Sequence, residues 1–228
     1  MRVVFFPMIE DRLTIEAVEY VDGGSGFAAD ARARLKGEFP GRSARRMTHL
    51  GMLVGLCLQK MDVERTVPII YASAFGESES LEKFIDSFPQ ASPALFQSSI
   101  HPSAVEQGLI ARKQPVNRFY PITSDTNLFG QALENCFLLG EENVILLGGE
   151  ERGDWLCPFR LASDVSFAFG MRFSQRGEGI GSLVVDRSVK PDLKGSVDFV
   201  SAARAIGSRK NFKVPSFALD AWIRLEWK

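Results

Sequence analysis

The sequence predicts an α/β domain built on a mostly parallel five-stranded sheet, with helices on both faces and β additions toward the C-terminus. Three observations predict it. Short strand-like runs alternate with helical periodicities up to about residue 150. Several of those runs are continuously apolar, as in strands covered on both faces. After Gly149 the pattern shifts to strand following strand. A chain of 228 residues, 45% apolar and 24% charged, is long enough to bury a core and fits one domain over residues 1–228.

The elements follow in order. Residues 13–20, LTIEAVEY, place β-branched and apolar residues in near alternation and close on Gly23 and Gly24, which reads as a strand. Residues 23–45 show no period and form a connection with room for a short helix. From 46 to 61, Met47, Leu50, Leu53, Val54, Cys57, Leu58 and Met61 recur at three and four residues, the mark of a largely buried helix. Gly51 and Gly55 share one side of it, where they let another backbone come close. VPIIYAS (67–73) is a short apolar strand. Residues 76–88 form an amphipathic helix with Leu81, Phe84, Ile85 and Phe88 on one face, Glu77, Glu79, Glu82 and Asp86 off it, and an acidic first turn that suits the helix dipole.

Residues 101–113 read as a short helix with Pro102 at its first position. Residues 117–123 are extended, 127–139 are helical and stopped by Gly140, and ENVILLGG (142–149) is another buried strand. Residues 164–174 and 181–188 are strands, with QRGEGIG between them read as a hairpin. A helix at 197–206 and a strand at 222–227 end the chain.

Lys plus Arg number 27 against 28 Asp plus Glu, which argues against a broadly basic nucleic-acid surface. The one basic cluster, Arg32, Arg34, Lys36, Arg42, Arg45 and Arg46, has no aromatics interleaved to stack bases and reads as a solvated flank. Cys57, Cys136 and Cys157 are widely spaced, so neither a disulfide framework nor a zinc site is expected, and a reducing cytoplasm fits. MRVVFFPMIEDR at the start is too short for a signal h-region or a membrane span, so no membrane insertion is expected. No cofactor or metal is called for: GEGIG (177–181) opens no helix and carries no following Lys, and the acids of GGEERGDW (148–155) lack a ligand spacing and read as a solvated loop.

The candidate site is the corner Thr123-Ser124-Asp125-Thr126 between a strand and a helix. The first N–H groups of a helix point into such a corner and favour negative charge there, which is why nucleophiles are often held at elbows of this kind. The same residues are also preferred helix caps. Only two histidines, His49 and His101, are available as bases, and His101, just before Pro102, is the candidate of the two.

Residues 115–151, PVNRFYPITSDTNLFGQALENCFLLGEENVILLGGEE, resemble the ketosynthases of fatty-acid and polyketide synthesis, members of the thiolase-like superfamily. In that family an extended segment leads to a strand ending in the active-site cysteine, then a helix, then a strand closing on Gly-Gly and an acid. RRMTHLG (45–51) resembles the start of the family's first long helix, and VPIIYASAFGE (67–77) its second strand and glycine turn. PALFQSSIHPSAVEQGLIARKQ (93–114) is similar to stand-alone, chain-length-factor-like ketosynthase N-terminal-domain proteins of aryl-polyene-type pathways. The resemblance covers roughly residues 12–175 and leaves 176–228 as an extension; it implies half of a thiolase-like fold.

Two departures from the family govern what the resemblance implies. The nucleophile position falls at Thr123 or Ser124, and no cysteine lies between Cys57 and Cys136. Neither His49 nor His101 matches the family's two catalytic histidines. The resemblance therefore implies a vestigial elbow at Thr123, Ser124 and Asp125, with the hydroxyls and Asp125 serving as caps. It implies a chain that is non-catalytic alone and partners a full-length ketosynthase elongating acyl chains on an acyl carrier protein. The pairing strand would be Asn117, Arg118, Phe119, Tyr120, Pro121, Ile122 and Thr123, and Leu128, Phe129 and Ala132 would line an acyl tunnel or fill the core. Two alternatives stand beside it: a Ser-dependent acyltransferase or hydrolase using Ser124 and His101, and a homodimeric scaffold without a ketosynthase partner.

Overall fold

The structure is a computed structural model that describes residues 11–26, 28–61, 63–192 and 196–228. The expectation made for residues 1–10 lies outside the described residues. The strands are β1 (Arg12–Gly24), β2 (Ile69–Ala72), β3 (Phe119–Ile122), β4 (Asn143–Glu150), β5 (Ser166–Ser174), β6 (Gly181–Asp186), β7 (Phe212–Ser216) and β8 (Ala221–Trp227). The helices are α1 (Ala28–Leu35), α2 (Gly41–Ala44), α3 (His49–Lys60), α4 (Ser78–Asp86), α5 (Pro93–Ser99), α6 (Ser103–Arg112), α7 (Leu128–Leu138) and α8 (Phe199–Gly207).

All the described strands join one eight-stranded sheet of order β3-β2-β4-β5-β1-β6-β8-β7. The expected α/β layering holds, but the strand count rises from five to eight and the parallel part shrinks. Among the described strands only the β2–β3 and β2–β4 pairings are parallel. Each of their connections carries helices, as a parallel crossover requires. The link from β4 to β5 has only a 3-10 turn at Cys157–Phe159, and β5 returns antiparallel along β4.

The expected hairpin between residues 164–174 and 181–188 does not form. Strand β1 lies between β5 and β6 and pairs antiparallel with both. The glycine-rich link passes directly over β1: Ile180 N–H donates to Ile15 O at 2.8 Å. A Cβ at Gly179 would come within 2.2 Å of that same carbonyl oxygen, so the glycines serve a close backbone approach. Strand β7, which the sequence pattern did not disclose, forms one edge of the sheet and tolerates Pro215 there.

Side chains alternate between two cores, one on each face. Ile70, Ala72, Val144, Leu146, Phe167 and Phe169 meet Leu128, Phe129 and Leu133 of α7 and Ala202 and Ile206 of α8. Ile69, Tyr71, Ile145, Leu147 and Ala168 meet α3 and α6 on the other face. The small-residue side of α3 does what its spacing predicts: a Cβ at Gly108 of α6 would meet Gly55 Cα at 3.3 Å and Leu58 Cδ1 at 2.8 Å. Thr48 caps α3 by accepting from Gly51 N–H at 2.9 Å, and its own N–H donates to Gln107 Oε1 of α6 at 2.6 Å.

Helix α4 is inverted. An amphipathic helix ordinarily turns its apolar face inward. Here Ser78, Ser80 and Glu82 are buried, while Ile85 is 41% and Phe88 59% exposed. Glu82 is satisfied where it lies, accepting from the N–H groups of Asp154 (2.7 Å) and Leu156 (2.8 Å). Those fixed donors hold the polar face against the body of the protein and leave the apolar face outside.

Candidate functional site

The carboxyl ends of the parallel strands are where α/β sheets place their sites. Here β2 runs out into Ser73-Ala74-Phe75-Gly76-Glu77, β3 into the Thr123–Thr126 corner, and β4 into Glu150 and Glu151. The first two segments touch: Thr123 Oγ1 donates to Ala74 O at 3.4 Å.

The corner is held by its own hydrogen bonds. Ser124 Oγ donates to Thr126 O at 2.7 Å and accepts from Thr126 N–H at 3.3 Å and from Gln131 Nε2 at 3.1 Å. Asp125 is exposed and does not cap the helix. The N-cap position falls two residues later at Asn127, whose φ of 50° is left-handed. Its side chain reaches away from the helix, with Nδ2 donating to Pro215 O of β7 at 3.0 Å. The helix thus begins within one residue of the expected 127–139, with Asn127 held at its start by β7.

The structure does not bring His101 to Ser124: the hydroxyl's hydrogen-bond partners are Thr126 and Gln131. The His101 ring stacks on Tyr71, centroids 5.1 Å apart at 29°. Burial lowers its pKa, which favours the neutral imidazole. His49 is fully buried as the first residue of α3, and burial lowers it to about 4. Leu128, Phe129 and Ala132 are buried in the core, with Phe129 packed against Phe169 and Phe212 at 5.8 and 5.6 Å between centroids.

The acids of residues 148–155 correct the expectation of a solvated loop. Glu150 and Glu151 are buried. Glu150 accepts from Ala74 N–H at 2.6 Å, Phe75 N–H at 3.2 Å and Ser73 Oγ at 3.2 Å. Glu151 accepts from Leu50 N–H of α3 and Glu79 N–H of α4, each at 3.1 Å. Glu77, the third, accepts from Ser103 Oγ at 3.1 Å and from Ala104 N–H of α6.

Burial pushes these carboxyls up, to about 7 for Glu77 and Glu150 and about 8 for Glu151, and the backbone donors pull against it. Glu151 and Glu77 thus satisfy N–H groups at the starts of α3, α4 and α6, while Glu150 satisfies those of the loop that follows β2. They tie α3, α4 and α6 to the strand ends. The signal in the sequence was an acidic pair directly after Gly148-Gly149 at the end of a buried strand. Side chains there have nowhere to go but inward.

Among the described residues no group of three or more His, Cys, Asp or Glu is placed to hold a metal ion, and no helix is long and apolar enough to cross a membrane. Cys57, Cys136 and Cys157 are free thiols.

No protein-family model matches the chain. Among curated proteins, the tRNA dimethylallyltransferases of Bordetella pertussis (strain Tohama I) and Bordetella parapertussis (strain 12822) are each 28% identical over 160 residues, covering 63% of this chain and 50% of theirs. The chain spans about half the length of these curated relatives. Among solved structures, the ketosynthase ApeO in complex with its chain length factor ApeC from Xenorhabdus doucetiae matches with a TM-score of 0.62 and 18% identity, over 94% of this chain and 98% of that one. The ishigamide ketosynthase/chain length factor matches with a TM-score of 0.58 and 12% identity, over 85% and 72%. The chain has the thiolase-like fold of these ketosynthase and chain length factor structures.

Proposed function

We propose that this chain is a non-catalytic, chain-length-factor-like partner of a full-length ketosynthase, serving acyl-carrier-protein-dependent elongation of a fatty-acid or polyketide chain of the aryl-polyene type. In this reading residues 12–175 are the ketosynthase-like core and 176–228 an extension of the same domain. The observation that carries it is a sheet edge that no described residue covers, in a fold shared with ketosynthase and chain length factor complexes. Strand β3 is the terminal strand. The carbonyls of Arg118 and Ile122 accept from Ile69 and Ser73 N–H, so in strand alternation Phe119 and Thr123 turn N–H and C=O outward and Pro121 its carbonyl alone. An edge of this kind is a ready template for a partner strand.

The outward apolar side of α4 supports the same reading. Phe84 packs on Phe88 and Phe96 at 5.4 and 5.3 Å, and Ile85, Phe88, Phe96 and Ile100 remain exposed. A patch of large apolar side chains presented to solvent marks an interaction surface. The corner supports a non-catalytic role: Ser124 is spent on local hydrogen bonds, and neither histidine is among its partners.

The glycine-rich segment at 177–181 lends no support to the dimethylallyl transfer named for the two sequence relatives. The segment crosses over β1 between two strands and does not open a helix as a phosphate-cradling loop does.

The test is to mix the purified chain with each full-length ketosynthase of the same cell and measure the mass of the product by light scattering and native mass spectrometry. A one-to-one complex that survives dilution supports the proposal. A stable homodimer that ignores ketosynthases would instead point to the scaffold reading. A lone chain whose acyl-thioester hydrolysis depends on Ser124 and His101 would point to the enzyme reading.

A further inference from the structure

A groove of about 820 Å³ lies between α2, the start of α3, α4, α5 and α6. Arg42, Arg45 and Arg46 line it, and none of them has a carboxylate partner among the described residues. Of the other cations in its lining, Lys83 is already paired with Glu79 and Arg32 is spent on backbone carbonyls. The segment carrying the arginines is fixed from beneath. Arg32 donates to the carbonyls of Met47 (2.7 Å), Ala44 (3.3 Å) and Arg45 (3.0 Å), fastening the end of α2 to the start of α3. The charge is thus concentrated and pre-positioned on a protein whose formal net charge is -1.

The walls of the groove are faces of helices, and they carry apolar side chains beside the charge. Ile110 of α6 lines it while 73% exposed, and Leu95 of α5 lines it half-buried. We propose that this groove docks an acidic amphipathic helix from a protein partner, its apolar ridge on Ile110 and Leu95 and its carboxylates against Arg42, Arg45 and Arg46. A helix seated in a groove by apolar anchors, with complementary charge at the rim, is a recurring recognition mode.

The lining favours this occupant over two others. Among the described residues no aromatic side chain lines the groove to stack a base. The three guanidiniums lie exposed rather than converging in a buried cradle, as a small phosphate would require. The groove shares no lining residue with the β3 edge, so this inference stands apart from the ketosynthase pairing.

The experiment uses the full chain and fluorescence anisotropy with a labelled synthetic helix of about four turns, leucines on one stripe and glutamates on its flanks. A scrambled peptide of the same composition, a single-stranded oligodeoxynucleotide and inorganic pyrophosphate are compared with it. The expected result is saturable, salt-weakened binding of the amphipathic helix. It should fall roughly tenfold or more in Arg42→Glu/Arg46→Glu and in Ile110→Asp, and be retained in Arg42→Lys/Arg46→Lys. All these side chains are exposed, and circular dichroism checks that each variant folds. Equal binding of the scrambled peptide, preferential binding of the oligonucleotide or pyrophosphate, or indifference to the substitutions in folded variants would overturn the proposal.

Discussion

The carboxylate of Glu151 takes the backbone N–H of Leu50, 101 residues away in the chain, at 3.1 Å, and with its other oxygen the N–H of Glu79 at the same distance. One buried acid thereby closes the starts of α3 and α4 at the end of the central parallel strands. Because burial raises its pKa to about 8, the folded state binds a proton that the unfolded chain has released above about 4.5. The contribution is complete below the unfolded value and is lost as pH rises through the folded one.

Stability to urea is therefore expected to fall as pH rises from about 5 to about 8, with Glu77 and Glu150 adding to the slope in the lower part of that window. Glu151→Gln should flatten the profile. It should also cost about 1–3 kcal/mol at pH 5, because the amide leaves one helix N–H without an acceptor. Urea melts of both proteins across the pH range check the sign; a parent stability that rises over this window refutes it.

At the corner, Ser124→Ala removes an acceptor for Thr126 N–H and Gln131 Nε2. The expected cost is about 0.5–1.5 kcal/mol of stability, with no change in any acyl-thioester turnover by the chain. Turnover that vanishes with the hydroxyl would restore Ser124 as a nucleophile.

On the β3 edge, Thr123→Pro removes an outward N–H that the monomer's own ladder does not use. Losing the long Thr123 Oγ1–Ala74 O contact should cost the monomer no more than about 1 kcal/mol, while affinity for a ketosynthase drops roughly tenfold. Ile85→Asp/Phe88→Asp on the outward face of α4 should act the same way. Association measured by interferometry with folded variants decides it, and unchanged affinity in both would move the interface elsewhere.

Gly179→Ala should destabilise by about 1–3 kcal/mol, since the new methyl group meets Ile15 O where the β5–β6 link crosses β1. A flexible surface turn would absorb the same change at little cost, so a neutral result in calorimetry would count against the crossing.

Much of this molecule is written in local pattern. The i, i+3, i+4 spacing from Met47 to Met61 gave α3, the continuous VPIIYAS and ENVILLGG runs gave β2 and β4, and Gly140, at φ 62°, ended α7. The absence of a cysteine at the Thr123–Ser124 corner was also plain from the sequence. These properties depend on residues a few positions apart, whose periodicity and backbone preference act before the chain has folded.

Tertiary structure alone decided the rest. The strands of residues 164–174 and 181–188 invited a hairpin, yet β1, from the other end of the chain, inserted between them. The stripe Leu81, Phe84, Ile85 and Phe88 fixed an amphipathic helix without fixing which way it faced. That was settled by the N–H groups of Asp154 and Leu156, which hold Glu82 inside. Glu150 and Glu151 belong in water by composition and became buried because the loop after β2 and the starts of α3 and α4 offer them N–H donors that water would otherwise have to satisfy. Pairing partners, the solvent side of a helix and the satisfaction of a buried carboxyl depend on groups distant in sequence, and a local pattern carries no record of them.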